Sequence, residues 1–394
     1  MPIDQRSIAS DSGKLLTMIS SHLFLESLRA AGIDFFTGVP DSLLKDVCAK
    51  ITDEVEASQH VIAANEGAAL ALASGWYLAT SRPALVYLQN SGLGNLVNPL
   101  TSLTDPLVYS IPALLLIGWR GEPNVADEPQ HVKQGAITPA VLDCLGIPYF
   151  IVPLDQQEAD QVISIAVALM QQTSAPVALL VRKGTFEPYK LLNSSPNDYP
   201  LGREEAIACI LKTIQPEDVV VSTTGMISRE VYEYRTASGH PLGMDFLTVG
   251  CMGHSSQIAL GIALARPNLR VVVIDGDGAM LMHLGSLAII GSRKPNNFLH
   301  IVLNNGAHDS VGGQPTIGFT IDFCELAKNC GYAHATSVSQ AADVNDALNM
   351  IFEEQPQLSF IEVRVKRGSR ADLGRPKTTP SENKEAFMAR INSL

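Results

Sequence analysis

The chain has 394 residues, of which 46% are hydrophobic and 17% charged, and its formal net charge is -12. The apolar fraction supports sizeable cores and argues against disorder, while the length suggests two domains of ordinary size. The acidic balance argues against nucleic-acid or anionic-membrane partners, which need a basic face, and no apolar run reaches transmembrane length.

The opening residues, MPIDQRSIASDSGK, lack an apolar signal core and read as a cytoplasmic start or a frayed leader; the expectation is a cytoplasmic protein. IDFFTGV reads as a strand and PDSLLKDVCAKI as a helix. HVIAA leads into the small-residue helix EGAALALASGWYLAT, with Glu66 near its start. PALVYLQN is a strand that ends in a loop, SGLGN; PALLLIGW and APVALLVRK are further strands. Strands alternating with helices predict a parallel sheet covered on both faces. FEPYKLLNSSPNDYPLG, rich in Pro, Asn and Ser, reads as a linker. The alternation then restarts. REEAIACILKTI is a helix, DVVVST a strand and HSSQIALGIALAR a helix. RVVVIDGDG is a strand and loop, AMLMHLGSLAIIGS one helix, FLHIVLNNG a strand and loop, and LSFIEVRV a late strand. The expected fold is α/β, with two parallel-sheet domains, 14–185 and 203–394, joined by a linker over 186–202. Six cysteines (Cys48, Cys144, Cys209, Cys251, Cys324 and Cys330) form no CxxC pair and predict free, mostly buried thiols rather than a zinc site.

Two strand-end motifs carry chemistry. RVVVID and FLHIVLN are separated by one crossover, so they should be parallel neighbours, and ligands in such sheets bind past the carboxyl ends of the strands. Asp277, between Gly276 and Gly278, and Asn305, in LNNGAHDS, leave those two ends. The glycines permit tight turning, and free N–H groups at the start of the next helix, from Gly278 and Ala279 on, suit a phosphate. One carboxylate, one amide oxygen and a loop carbonyl, completed by diphosphate oxygens and water, make a hard-oxygen magnesium site. Either motif alone is a common turn sequence.

GDG followed by NN at this spacing resembles the signature of thiamine diphosphate enzymes. That resemblance implies thiamine diphosphate and Mg2+ as cofactors, with Asp277, Asn305 and the carbonyl of Ala307 on the metal. It implies a helix-start glutamate for the aminopyrimidine, matched by Glu66, and an apolar wedge between glycines, matched by Met252 between Gly250 and Gly253. Thr224 and Gly225, in STTGMISRE, match its small-residue diphosphate loop. A short linker replaces the middle domain of many relatives. TGVPDSLLK, LQNSGLGNLVNPLTSL, GWRGEPNVADEPQHVKQG, NNGAHDSVGGQPT and RADLGRP are most similar to the phosphonopyruvate decarboxylases, with the sulfopyruvate decarboxylases next.

The implied activity is decarboxylation of 3-phosphonopyruvate to phosphonoacetaldehyde, a step of phosphonate biosynthesis, in a homo-oligomer whose active sites lie between subunits. The small-molecule substrate is a 2-oxo acid with an anionic C3 group. Polar candidates for it are Asp41 and Ser42 at a helix start, Asn90, and Gln130, His131 and Gln134 in a strand-end segment. His308, Ser310 and Gln314 follow the NN motif, and Arg370 and Arg375 lie in the basic stretch RVKRGSRADLGRPK. Ser42 reads equally as a cap, and the basic stretch as a solvated tail. His308 is the candidate proton carrier, because the paired histidine and the glutamate of pyruvate decarboxylases are missing here. A 2-oxoacid oxidoreductase component also uses GDG and NN, but it would need cluster cysteines, for which the spacing here is unsuitable.

Overall fold

The computed structural model describes residues 18–193, 197–239 and 242–394; the opening residues, on which the cytoplasmic expectation and the domain start at 14 rest, lie outside them. Twelve strands form two six-stranded sheets. The first contains β1 (Phe36–Gly38), β2 (His60–Ile62), β3 (Ala84–Gln89), β4 (Ala113–Gly118), β5 (Tyr149–Ile151) and β6 (Val177–Val181), in the order β2-β1-β3-β4-β6-β5. The second contains β7 (Val219–Ser222), β8 (Asp245–Leu247), β9 (Val271–Gly276), β10 (Phe298–Asn304), β11 (His334–Val338) and β12 (Ser359–Arg364), in the order β8-β7-β9-β10-β12-β11. The two orders are the same permutation, and every pairing is parallel.

Each sheet is buried on both faces, so its central strands are continuous apolar runs rather than alternating ones. Leu114 and Leu116 join one core while Ala113, Leu115 and Ile117 join the core on the opposite face, as the two-residue period of a strand requires. Burying one such leucine is worth about 1.5–3 kcal/mol. The β9–β10 register pairs Leu303 with Gly276, so Asn305 and Asp277 leave adjacent strands at one level.

Several local expectations change. QNSGLGN is not a loop: a 3-10 turn over Asn90–Gly92 runs into the helix Leu93–Pro99. DEPQHVKQG is not strand-end coil but opens the helix Pro129–Cys144, with its proline in the first turn, where no N–H is needed. The single helix expected after GDG is two, Asp277–Met282 and Ser286–Arg293, because His283 leaves helical geometry at φ -132° and ψ 51°. The helix after PDSLL starts at Lys45 behind Leu44, so Ser42 does not cap it.

Of the six free cysteines, Cys48 and Cys324 alone are buried and Cys144 and Cys251 are exposed, so the thiols are not mostly buried. The segment after β6 is anchored rather than loose. Tyr189 donates its hydroxyl to Asp53 at 3.0 Å, and Asn197 donates to the carbonyls of Asn305 and Val365 at 3.1 and 3.0 Å. Among the described residues no helix is long and apolar enough to cross a membrane.

Candidate active site

At the carboxyl edge of the second sheet, the ends of β7, β9 and β10 surround a cleft open to solvent. Gly276, Asp277, Gly278 and Ala279 line one wall, and Asn305, Ala307, His308 and Ser310 another; Thr224 and Met252 close it. Asp277 is buried, and burial pushes its carboxyl up to about 6 despite bonds from Thr316 and from its own loop's N–H groups. The Thr316 hydroxyl donates to its Oδ2. Gly318 leaves room for this pair, since a Cβ there would lie 2.8 Å from Asp277 Oδ2.

The two asparagines divide their work. Asn304 is fully buried and ties the loop by donating to Gly318 O and Glu362 Oε1, both at 2.7 Å. Asn305 turns its side chain into the loop: its Oδ1 accepts the Ala307 N–H at 3.0 Å and its Nδ2 donates to Asp309 at 2.7 Å. Ala307 stands opposite Pro315, which has no N–H, and no donor among the described residues reaches its carbonyl.

These atoms suit a hydrated divalent cation carrying a diphosphate. The described residues hold no cluster of three His, Cys, Asp or Glu, so a cation here would meet one carboxylate, neutral oxygens and the ligand's own oxygens. The buried Thr223 hydroxyl at the cleft has no protein partner and is available to a ligand.

The wedge loop is set by backbone strain that only its residues permit. Gly250, Cys251 and Gly253 all have positive φ, at 68°, 54° and 84°. The Thr224 hydroxyl accepts the Gly250 N–H at 2.9 Å, and Gly225, at φ 92°, turns its own loop into the helix Met226–Ala237. His308 lies over Gly278, where a Cβ would come within 3.0 Å of its ring; burial pushes its imidazole down to about 4, against the charge of Asp309.

At the matching edge of the first sheet, Asn65 caps the helix Glu66–Thr80 and Glu66 is buried. Its Oε2 accepts from Asn95 Nδ2 at 2.7 Å, and its carboxylate lies against Gly92, where a Cβ would come within 2.2 Å. Asn90 is also fully buried. Its amide donates to Arg120 O and Thr138 at 2.8 and 2.9 Å, and Gln134 donates to its carbonyl at 2.8 Å. Asp41 accepts from Gln89 and the Leu43 N–H at 2.6 and 2.9 Å, and burial raises its carboxyl against those bonds. Ser42 instead accepts from Arg120 at 2.7 Å.

Arg120, two residues past the end of β4 and in the turn that follows it, is the functional candidate that sequence reading passed over. Asp127 pairs with it through two nitrogens and also accepts from His131 Nδ1 at 3.0 Å. Burial opposes ionisation of Asp127, but Arg120, His131 and the Gly121 N–H together hold its carboxyl well below the usual range.

The edges meet through Asn65 Nδ2, which donates to Met282 O at 3.3 Å, and Gln314 Nε2, which donates to Lys45 O at 3.4 Å. A Cβ on Gly250 would lie 3.5 Å from the Gln130 side chain. Both of these bonds lie within one chain. Arg370 and Arg375 join neither cluster. Both are exposed, the first paired with Glu204 and Glu233, the second with Glu128.

Comparison with known proteins gives the class first. The model of the thiamine pyrophosphate enzyme N-terminal TPP binding domain matches residues 18–141, and that of the C-terminal TPP binding domain matches 223–363. Over 392 residues the chain is 34% identical to phosphonopyruvate decarboxylase of Streptomyces viridochromogenes, covering 95% of this chain and 96% of that one. It is 33% identical over 386 residues to phosphonopyruvate decarboxylase of Streptomyces hygroscopicus, covering 94% and 93%. Sulfopyruvate decarboxylase of Methanosarcina acetivorans is 28% identical over 369 residues, covering 88% and 91%. The chain belongs to the phosphonopyruvate decarboxylase family of thiamine diphosphate-dependent decarboxylases.

Proposed function

We propose that the protein decarboxylates 3-phosphonopyruvate to phosphonoacetaldehyde and carbon dioxide, with thiamine diphosphate and Mg2+, as a step of phosphonate biosynthesis. The observation that carries this reading is the cleft with one buried carboxylate and an open carbonyl at the ends of β9 and β10, beside which Asn65, at the start of the Glu66 helix, bonds Met282. When bound, the cofactor supplies the electron sink that a 2-oxo acid lacks for loss of its carboxylate.

The protein supplies placement and proton control. Asp277, Asn305 and the Ala307 carbonyl hold the cation; Thr224 and Gly276–Ala279 hold the diphosphate. Met252 is the wedge, and Glu66 keeps a proton at the aminopyrimidine. His308, neutral at working pH, orients the reacting end rather than donating from a standing imidazolium.

Arg120, with Ser42, reads the C3 anion. Asp127 and Ser42 occupy three of its five N–H donors and fix its plane, and two remain for a phosphonate. Gln130, His131 and Gln134 keep this corner in place. Gln314, Arg370 and Arg375 are retained as outer candidates only. Six free thiols support a cytoplasmic site, and we expect a homo-oligomer by sedimentation.

Sulfonate and phosphonate are both anionic, and the 28% identical relative keeps sulfopyruvate as the second reading. Purified protein with cofactor and Mg2+ should be given phosphonopyruvate, sulfopyruvate and pyruvate in turn while aldehyde release is followed. Preference for sulfopyruvate selects the second reading; plain pyruvate as the best substrate removes both.

A further inference from the structure

We propose that His283 and His254 form a relay that carries protons between solvent and the Glu66 carboxylate. Glu66 is sealed from water: it is 5% exposed, with Asn95 on one oxygen and Gly92 against the other. A proton shared between Glu66 and the aminopyrimidine can exchange with solvent only through neighbouring groups. The bond from Asn65 Nδ2 to Met282 O brings the following residues of the two segments, Glu66 and His283, near enough for the Glu66 charge to act on the imidazole.

His283 sits at the break between the helices Asp277–Met282 and Ser286–Arg293, and its Nε2 is buried with no partner. Buried polar atoms are rarely left so without a role. Its ring fits only because residue 253 is glycine, as a Cβ there would lie 2.7 Å from His283 Cδ2. The His254 ring is centred 4.3 Å away and is exposed. Its Nδ1 faces the Met252 carbonyl at 3.1 Å, leaving Nε2 for water.

The charged groups that face His283 are His254, from the wedge loop, and Glu66, from the helix Glu66–Thr80. Burial and His254 lower its proton affinity while Glu66 raises it. It is therefore neutral at neutral pH and able to accept a proton in transit. His254 takes a proton from water at Nε2, its ring turns to present that proton to the unpartnered Nε2 of His283, and the His283 ring delivers a proton to a Glu66 oxygen; the reverse sequence returns it to water.

The relay rests on the reading of Glu66 given above, so the test separates the two. In histidine-labelled holoenzyme, Glu66→Gln should shift the His283 titration, followed by NMR, to lower pH. Exchange of the cofactor's C2 proton, measured without substrate, should slow by about 10-fold or more in His283→Gln, less than the roughly 10²–10⁴-fold expected on losing the proton-transfer group itself. Added imidazole should restore it. His254→Gln, a polar change at an exposed position, should slow it too. If both histidine variants exchange at the wild-type rate while Glu66→Gln does not, the relay is wrong. If Glu66→Gln also exchanges normally, the reading of Glu66 falls first.

Discussion

Gly92 shows how tightly one residue can set a catalytic group. It has ordinary helical dihedrals, so backbone freedom does not explain it; the space is filled by the Glu66 carboxylate. Gly92→Ala should push that carboxylate aside, leave Mg2+-dependent cofactor binding close to normal, and slow C2 proton exchange by roughly 10²-fold, toward the scale of losing a proton-transfer group. Calorimetry beside NMR exchange checks both halves of this expectation, and normal exchange would refute it. At the other corner, Arg120→Ala should lower kcat/KM for phosphonopyruvate by several kcal/mol of transition-state binding, and far less for pyruvate, because the lost bonds are charge-assisted. Arg370→Ala, in its exposed ion pairs, should leave both close to wild type. Equal falls for both substrates in Arg120→Ala would make that arginine structural. Asp277 and Asn305 were legible in the sequence because each follows an apolar strand directly. Arg120 was not, since its role is defined by Ser42, 78 positions away, and Asp127, seven positions on along an irregular segment.

Among the elements, the short strands carry a pH dependence. His60 begins β2, half-buried, and pairs with the Tyr87 hydroxyl on β3 at 2.9 Å. Burial lowers its imidazole from 6.5 to about 4. A base that binds its proton less well when folded stabilises the fold fully above 6.5, and this is lost as pH falls from there to about 4. The loss is at most roughly 3 kcal/mol. Urea unfolding at pH 7 and pH 5 should show a falling midpoint in the wild type and a smaller fall in His60→Gln; identical falls would assign the acid sensitivity elsewhere. Long apolar strands such as β4 and β9 were legible because burial on both faces leaves an unbroken run. The helix Leu93–Pro99 and the break at His283 were not. Gly92 and Gly94 imitate a loop, and in AMLMHLGSLAIIGS the apolar run on both sides outweighs the one signal of a break, Gly285, which caps the second helix.

Across the whole molecule, the identical strand orders of the two sheets mean that the same four strand ends are used in each half. After β1 come Asp41 and Ser42, and after β7 come Thr224 and Gly225. Beyond β2 lies Glu66, beyond β8 Met252. Asn90 follows β3 as Asp277 follows β9; Arg120 follows β4 as Asn305 follows β10. Each sheet has its own pair of cores, so cutting the chain after Asn193 should leave two polypeptides that reassemble on co-expression. Cofactor affinity by calorimetry measures the outcome, and halves that never associate would show the covalent link to be essential. The matched plan is what the doubling of one unit would leave. A single ancestral unit, pairing with its own copy, would have offered equivalent clefts on both sides; once the copies were joined, one could keep the cation and the other the carboxylate, each free to shed the half of the chemistry its twin retained.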